Sequence, residues 1–166
     1  MTVASFLLIL FDAQRREVRR AALSYLIMMH IGFVLLVIGF VRLDAACGAA
    51  TFGALGDYFR TQPGLPLLLV FLAGFGMKAG LFPMHVWLPE AHPAAPSHVS
   101  ALMSGVMIKT GVYGILRVTA ALGEQPLLHT AGVILLAAGV VTGLWGVILA
   151  AMQNDVKRLL AYSSIE

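Results

Sequence analysis

Two lysines stand where hydrocarbon surroundings make lysine costly. Lys78 sits within LLLVFLAGFGMKAGLF and Lys109 within SALMSGVMIKTGVYGIL, each near the centre of an otherwise apolar run. A lysine at the middle of a membrane span costs roughly 2.5–3.5 kcal/mol on insertion scales. Snorkelling relieves that cost only near a helix end, and neither lysine is near one. Both must then face protein interior or internal water. An apolar setting disfavours the protonated amine and a nearby cation disfavours it further, so such a group can release and regain a proton. One lysine of this kind is as readily structural, paired with a buried carboxylate or carbonyl. Two favour a polar path for protons across the middle of the membrane.

The surroundings of Lys78 point the same way. Gly74, Gly76 and Gly80 flank it, and Pro83 follows. Proline removes a backbone donor and clashes with the preceding turn, so the span is expected to break between Gly80 and Pro83. Interrupted helices at membrane depth are tolerated where they line a cavity, and transporters use them to present backbone groups to ions. Gly and Pro are also simply commoner in membrane helices, but a lysine beside the break favours function.

Five histidines could join such a path. His30, in YLIMMHIGF, is a candidate relay, because an imidazole can take up and release a proton. A neutral histidine bonded to a neighbouring helix is the plainer reading there. His85, His92 and His98 cluster with Glu90 in PMHVWLPEAHPAAPSH. Pro93 and Pro96 separate the last two, and no i,i+4 histidine pair exists on a helix, so the pattern is a poor metal site. A hydrated mouth is expected instead, with His85, Glu90, His92 and His98 in capping and proton-access roles. His129, Trp87 and Tyr113 are expected at membrane interfaces, and Trp145 in packing. No catalytic residue is assigned. The serines at 97, 100, 104, 163 and 164 lack a nucleophile elbow. No Walker loop, GxGxxG or CxxCH is present, so no cofactor is expected.

The elements that must position these residues follow from composition. The chain has 166 residues, 60% hydrophobic and 11% charged, with mean hydropathy +0.90. Soluble domains run near 45–50% apolar and about 25% charged, so a disordered chain is excluded and a multi-pass membrane protein expected. The single cysteine, Cys47, excludes an internal disulfide framework and cysteine-based metal or cluster sites. Four full spans can be read, about Ala21–Val41, Leu65–Leu88, Val99–Thr119 and His129–Met152, the second broken near Lys78–Pro83. Each reaches the roughly 20 residues a spanning helix needs. Backbone groups cannot go unpaired in lipid, so the fold class is an all-α transmembrane bundle. The two lysines lie on consecutive antiparallel spans and can share a depth. The apolar run from Met1 to Phe11 reaches only about 16 Å as a helix and lacks a signal peptide's basic start and cleavage site. It reads as a partial helix, and another begins near Val156. The chain is expected to be one partial domain, 1–166, from a larger membrane subunit.

The stretch GFGMKAGLFPMHVWLPEAHPAAPSHVSALMSGVMIKTGVYGILR, with the ending NDVKRLLAYSSIE, closely resembles the antiporter-like membrane subunits of respiratory complex I, the Mrp-type antiporters and the membrane-bound hydrogenases. LPEAHPAAPSHVSALMSG with YLIMMHIG is most similar to the hydrogenase-type subunits called hydrogenase-4 component B or formate hydrogenlyase subunit 3. The resemblance implies that Lys78 is the lysine of the family's broken helix and Pro83 its break. It implies that Lys109 is the central-axis residue of the next helix, and that Lys157 is a recurring lysine at a helix start. It also implies a glutamate partner for Lys78 on the preceding helix, which would lie immediately before Met1. The implied activity is proton or Na+ translocation in a redox-driven complex of the NADH-quinone oxidoreductase or group 4 hydrogenase type, without a redox centre in this chain; the alternatives are a Na+/H+ antiporter subunit and a non-conducting structural piece. The implied setting is a bacterial or archaeal plasma membrane, among homologous membrane subunits and lipid, with no nucleic acid.

Orientation follows from the basic residues of the loops. Arg15, Arg16, Arg19 and Arg20 lie before the first span, and Lys157 and Arg158 after the fourth. Four spans put these six on one side, against Arg42, Arg60 and Arg117 on the other, so the first set is expected to be cytoplasmic. The loop 89–97 then lies inside and the loop 42–64 outside. A reporter fused after Arg20 or Arg158 should read cytoplasmic and one after Gly53 external; external readings at both basic loops would overturn this orientation.

Overall fold

Hydrophobic runs of this length, cut by proline and glycine, fold into helices whose ends those residues set. The computed structural model describes residues 2–165, and within them every regular element is helical. Met1 and Glu166, the outermost residues of the two expected partial helices, lie outside the described residues. The partial helices themselves are α1 (Thr2–Ile9), followed by a 3-10 turn, and α9 (Val156–Ser163). Between them lie α2 (Arg16–Cys47), α3 (Ala54–Thr61), α4 (Gly64–Ala79), α5 (Leu88–Ala94), α6 (Ser97–Leu102), a π turn (Met103–Met107), α7 (Ile108–Ala120) and α8 (Pro126–Ala151).

Three of the four expected spans are helices long and apolar enough to cross a membrane: Arg16–Cys47, Ser97–Ala120 and Pro126–Ala151. The first outruns its expected bounds at both ends. Glu17 favours its first turn, and Gly48, in the left-handed region at φ 69°, closes it with an amide bond to Asp44 O of 2.7 Å. The last starts on Pro126, whose missing amide costs nothing at a first helical position. The span that begins at Ser97 is interrupted by the π turn, which the sequence reading did not anticipate; it places Lys109 two residues beyond an irregular backbone segment.

The remaining span is broken, as expected. α4 has 16 residues, about 24 Å at 1.5 Å each and short of a hydrocarbon core of about 30 Å. Gly80 ends it at φ 79°, and the amides of Gly80 and Leu81 both bond Gly76 O, at 2.9 and 3.0 Å. That left-handed turn suits glycine, and a Cβ there would collide with the Leu88 side chain. The chain runs irregularly from Leu81 to Trp87, with a cis Phe82–Pro83 bond, before α5 begins.

The break divides two cores. One gathers Leu67, Leu68, Phe71, Leu72, Phe75 and Ala79 of α4 with Leu55 and Phe59 of α3 and Ile115 and Val118 of α7. The other gathers Trp87, Leu88 and Ala91 with Ile9, Tyr25, Met29, Met103 and Ile108. One expected span thus serves both cores, and Lys78 stands at the seam.

Lipid supplies little hydrophobic drive between helices, so close approach of small residues must hold them. Gly32 and Gly74 meet where α2 crosses α4: a Cβ on Gly74 would sit 3.1 Å from Gly32 O and 2.8 Å from the Leu36 side chain. Gly111 of α7 is tighter still, since its Cβ would lie 2.6 Å from Ala79 N and 2.8 Å from Phe75 O. Both atoms are backbone and cannot rotate away. In the full-length protein, Gly111→Ala should therefore destabilise the fold by about 1–3 kcal/mol. Gly53→Ala, whose Cβ would come no closer than 3.8 Å to Thr51, should be near neutral. Thermal unfolding of the purified protein measures both, and equal melting temperatures would remove this contact from the account.

Candidate functional site

The contact of Gly111 with Ala79 sets the level of both lysines. Lys78 adjoins Ala79 and Lys109 lies two residues from Gly111, so the two stand at similar levels of the bundle. They do not face each other. Lys78 is half-buried and lines a cavity of about 50 Å³ with Thr2 of α1, Met29, Gly32 and Phe33 of α2, and Gly74 and Met77 of its own helix. Such a volume exceeds what a single water needs. Lys109 lies on the exposed side of α7, away from the face that packs on α4. His30 is also exposed; its Nδ1 donates to Leu26 O at 2.8 Å, within its own helix rather than to a neighbour. A carbonyl only accepts, so this bond leaves Nε2 as the acceptor nitrogen.

Around residues 85–98, where a hydrated mouth is expected, cavities lie where α5 meets α9. A cavity of about 440 Å³ has Arg15, Arg20, Lys157 and Arg158 on its walls, with Glu17, Glu90 and Asp155. Both basic loops therefore meet at one end of the bundle. Asp155 Oδ1 accepts from the amides of Lys157 and Arg158, at 2.8 and 3.2 Å, and so caps α9. Lys157 Nζ donates to Ala95 O at 3.2 Å, tying α9 to the end of α5.

Two further cavities share lining residues with this one. One, about 300 Å³, is lined by His85, Glu90, Arg158 and Tyr162. The other, about 310 Å³, is lined by His92, Lys157 and the hydroxyls of Ser97, Ser100, Ser104, Ser163 and Ser164. Glu90 and Arg158 belong to the first two cavities, and Lys157 links the first to the third. His85 and His92 are both buried, at 7% and 3% exposure. His92 Nδ1 meets Ser100 Oγ at 2.7 Å. Among the described residues, His92 Nε2 and His85 Nδ1 have no hydrogen-bond partner. Burial holds the His92 imidazole down at about 4, so it is neutral at physiological pH. A neutral imidazole can accept a proton at one nitrogen and give it up at the other. His98 is exposed on the first turn of α6.

Four expected site residues, His85, Glu90, His92 and Lys157, are thus brought together, whereas Lys78, Lys109 and His30 occupy separate surfaces. Several residues escaped the sequence reading. Trp87, expected at an interface, is fully buried; its Nε1 donates to Met77 O at 3.0 Å and its ring meets Tyr25 edge-on at 5.3 Å. The carbonyl it satisfies exists only because α4 stops, which no local signal reveals. Thr142 of α8 is 3% exposed, and its Oγ1 accepts from Phe82 N at 3.0 Å. Trp145, expected in packing, does touch Phe82, with centroids 5.6 Å apart. The serines had a signal that was not used: positions 97, 100 and 104 fall on one helix face. Ser104 and Ser164 meet at 3.0 Å across the third cavity.

Known proteins place this arrangement. The chain matches, over residues 1–166, the family described as NADH:quinone oxidoreductase/Mrp antiporter, transmembrane. It is 45% identical over 170 residues to an uncharacterised protein of Mycobacterium tuberculosis (strain ATCC 25618 / H37Rv), covering 100% of this chain and 26% of that one. It is 42% identical over 174 residues to hydrogenase-4 component B of Escherichia coli (strain K12), covering 100% of this chain and 25% of the relative. The chain therefore spans about a quarter of the length of these curated relatives. Among solved structures, the Mrp complex from Dietzia sp. DQ12-45-1b superposes with a TM-score of 0.87 at 27% identity, over 99% of this chain and 18% of that one. The chain is a multi-pass membrane protein, and it belongs to the NADH:quinone oxidoreductase/Mrp antiporter transmembrane family.

Proposed function

We propose that this chain forms part of a proton-translocating membrane subunit in a redox-driven complex of the NADH-quinone oxidoreductase or group 4 hydrogenase type. The observation that carries the reading is the stop of α4 at Gly80, two residues past Lys78, at the seam between two cores and beside a water-sized cavity. Lys78 and Lys109 handle protons at mid-depth. His85, Glu90, His92 and Lys157 form the access region that the basic loops enclose. His30 and His98, both on outer faces, extend the path toward neighbouring elements. The subunit is not itself catalytic: its part is to hold and move protons while other subunits carry out the redox chemistry. It sits in the plasma membrane beside homologous membrane subunits.

A second reading, an Na+/H+ antiporter subunit working without electron transfer, draws on the likeness to the Dietzia Mrp complex. Gene order separates the two, since hydrogenase or quinone-reductase neighbours favour the first and a compact antiporter operon the second. Function separates them as well. In vesicles holding the full-length protein in its complex, proton movement that needs the electron donor supports the redox-driven reading. Proton movement set off by an Na+ pulse alone supports the antiporter. Under either reading, Lys78→Met and Lys109→Met should each slow pH-gradient formation by about 10²-fold, the scale of losing a positioned proton-transfer group, while the complex assembles normally. Assembly with undiminished proton movement in both variants would overturn the proposal.

A further inference from the structure

Ending a helix inside the bundle leaves polar backbone groups that other residues must satisfy. The amides of Gly80 and Leu81 turn back to Gly76 O, and Pro83 has no amide to place. The Phe82 amide is the donor left over. It is taken by Thr142 Oγ1 of α8, sixty positions along the chain and 3.0 Å away. The Thr142 hydroxyl directs its own proton to Ala138 O in the preceding turn of α8, so its oxygen is held with a lone pair free to accept. Trp145, one turn further on, lies against the Phe82 ring. α8 buries little of itself against the described residues; Thr142 is its one buried polar side chain among Ala131, Thr142 and Gly146.

We propose that Thr142 is a positioning residue for Lys78: by holding the Phe82 amide it fixes the interrupted end of α4, four residues from the lysine, and ties the break to α8. This inference rests on the proton-handling reading of Lys78. Its physical content is separable from that reading, because the clamp is a hydrogen bond from a backbone amide to a side-chain hydroxyl that can be measured without transport. Thr142→Val keeps the shape and removes the acceptor, leaving the part-buried Phe82 amide without that partner. Thr142→Ser keeps the acceptor.

The test uses the full-length protein in its complex, in lipid nanodiscs and vesicles, with amide hydrogen exchange of the 80–87 segment and proton movement read side by side. Thr142→Val should assemble normally, speed exchange at Phe82 about fivefold to tenfold, and slow proton movement severalfold. Thr142→Ser should restore both. Should the valine variant fail to assemble, Thr142→Ala, which lacks the hydroxyl and adds no bulk, carries the same comparison. Unchanged exchange in the hydroxyl-free variant would show that no clamp exists. Faster exchange with undiminished proton movement would show that the clamp does not position Lys78. Both results overturn the inference. The proton-handling reading fails on a different result, full activity of Lys78→Met.

Discussion

A backbone amide or carbonyl left unpaired in hydrocarbon costs several kcal/mol, and every feature of the Lys78 region answers to that constraint. α4 stops at Gly80, in the middle of the bundle. Its freed carbonyl at Met77 is met by the indole of Trp87, and the amide at Phe82 by the hydroxyl of Thr142. One of these side chains stands at the start of α5 and the other on α8. With these two groups satisfied, the chain passes from one core to the other through the segment 81–87. Lys78 gains a place that a continuous helix would not offer: a last-turn position beside a small cavity, where α2 and α4 approach through Gly32 and Gly74.

The same logic of small contacts and polar satisfaction organises the rest. Gly111 fits α7 against the backbone of Ala79 and Phe75, which brings the helices of the two lysines to one level while turning the lysines to different sides. At the end of the bundle where the basic loops gather, Asp155 caps α9 and Lys157 ties it to Ala95. That docking shapes a charged cavity and two further cavities, at His85 and His92, that share lining residues with it. The histidines are buried, and His85 Nδ1 and His92 Nε2 have no hydrogen-bond partner among the described residues.

Much of this was legible in the chain because the signals are local. Hydropathy located the spans, and glycines with Pro83 around Lys78 located the break. Helix ends were less legible, because a hydropathy window marks the lipid-facing stretch and not where the helix stops; arginines of the first turns of α2 continue the helix while reaching outward. The π turn at Met103–Met107 and the short helix of Leu88–Ala94 were not anticipated. Trp87 was misread because tryptophan is common at membrane interfaces, and only the tertiary fold brings its indole to the Met77 carbonyl. Thr142 looked like any threonine in an apolar run. The site was therefore readable where chemistry and chain break coincide, and hidden where one helix completes another.

The central claim is that the second span is interrupted at Gly80 and that the segment after it opens to the side of the basic loops. Cysteine accessibility tests it most directly. Single cysteines are placed from Leu67 to Leu88 in a cysteine-free version of the full-length protein and probed with a membrane-impermeant thiol reagent from each side. The account predicts no labelling before Lys78, and labelling of exposed positions after Gly80, such as Pro83 and Val86, only from the side that carries Arg20 and Arg158. Uniform protection through Leu88, as a continuous buried helix would give, or labelling of these positions from the opposite side, would contradict it.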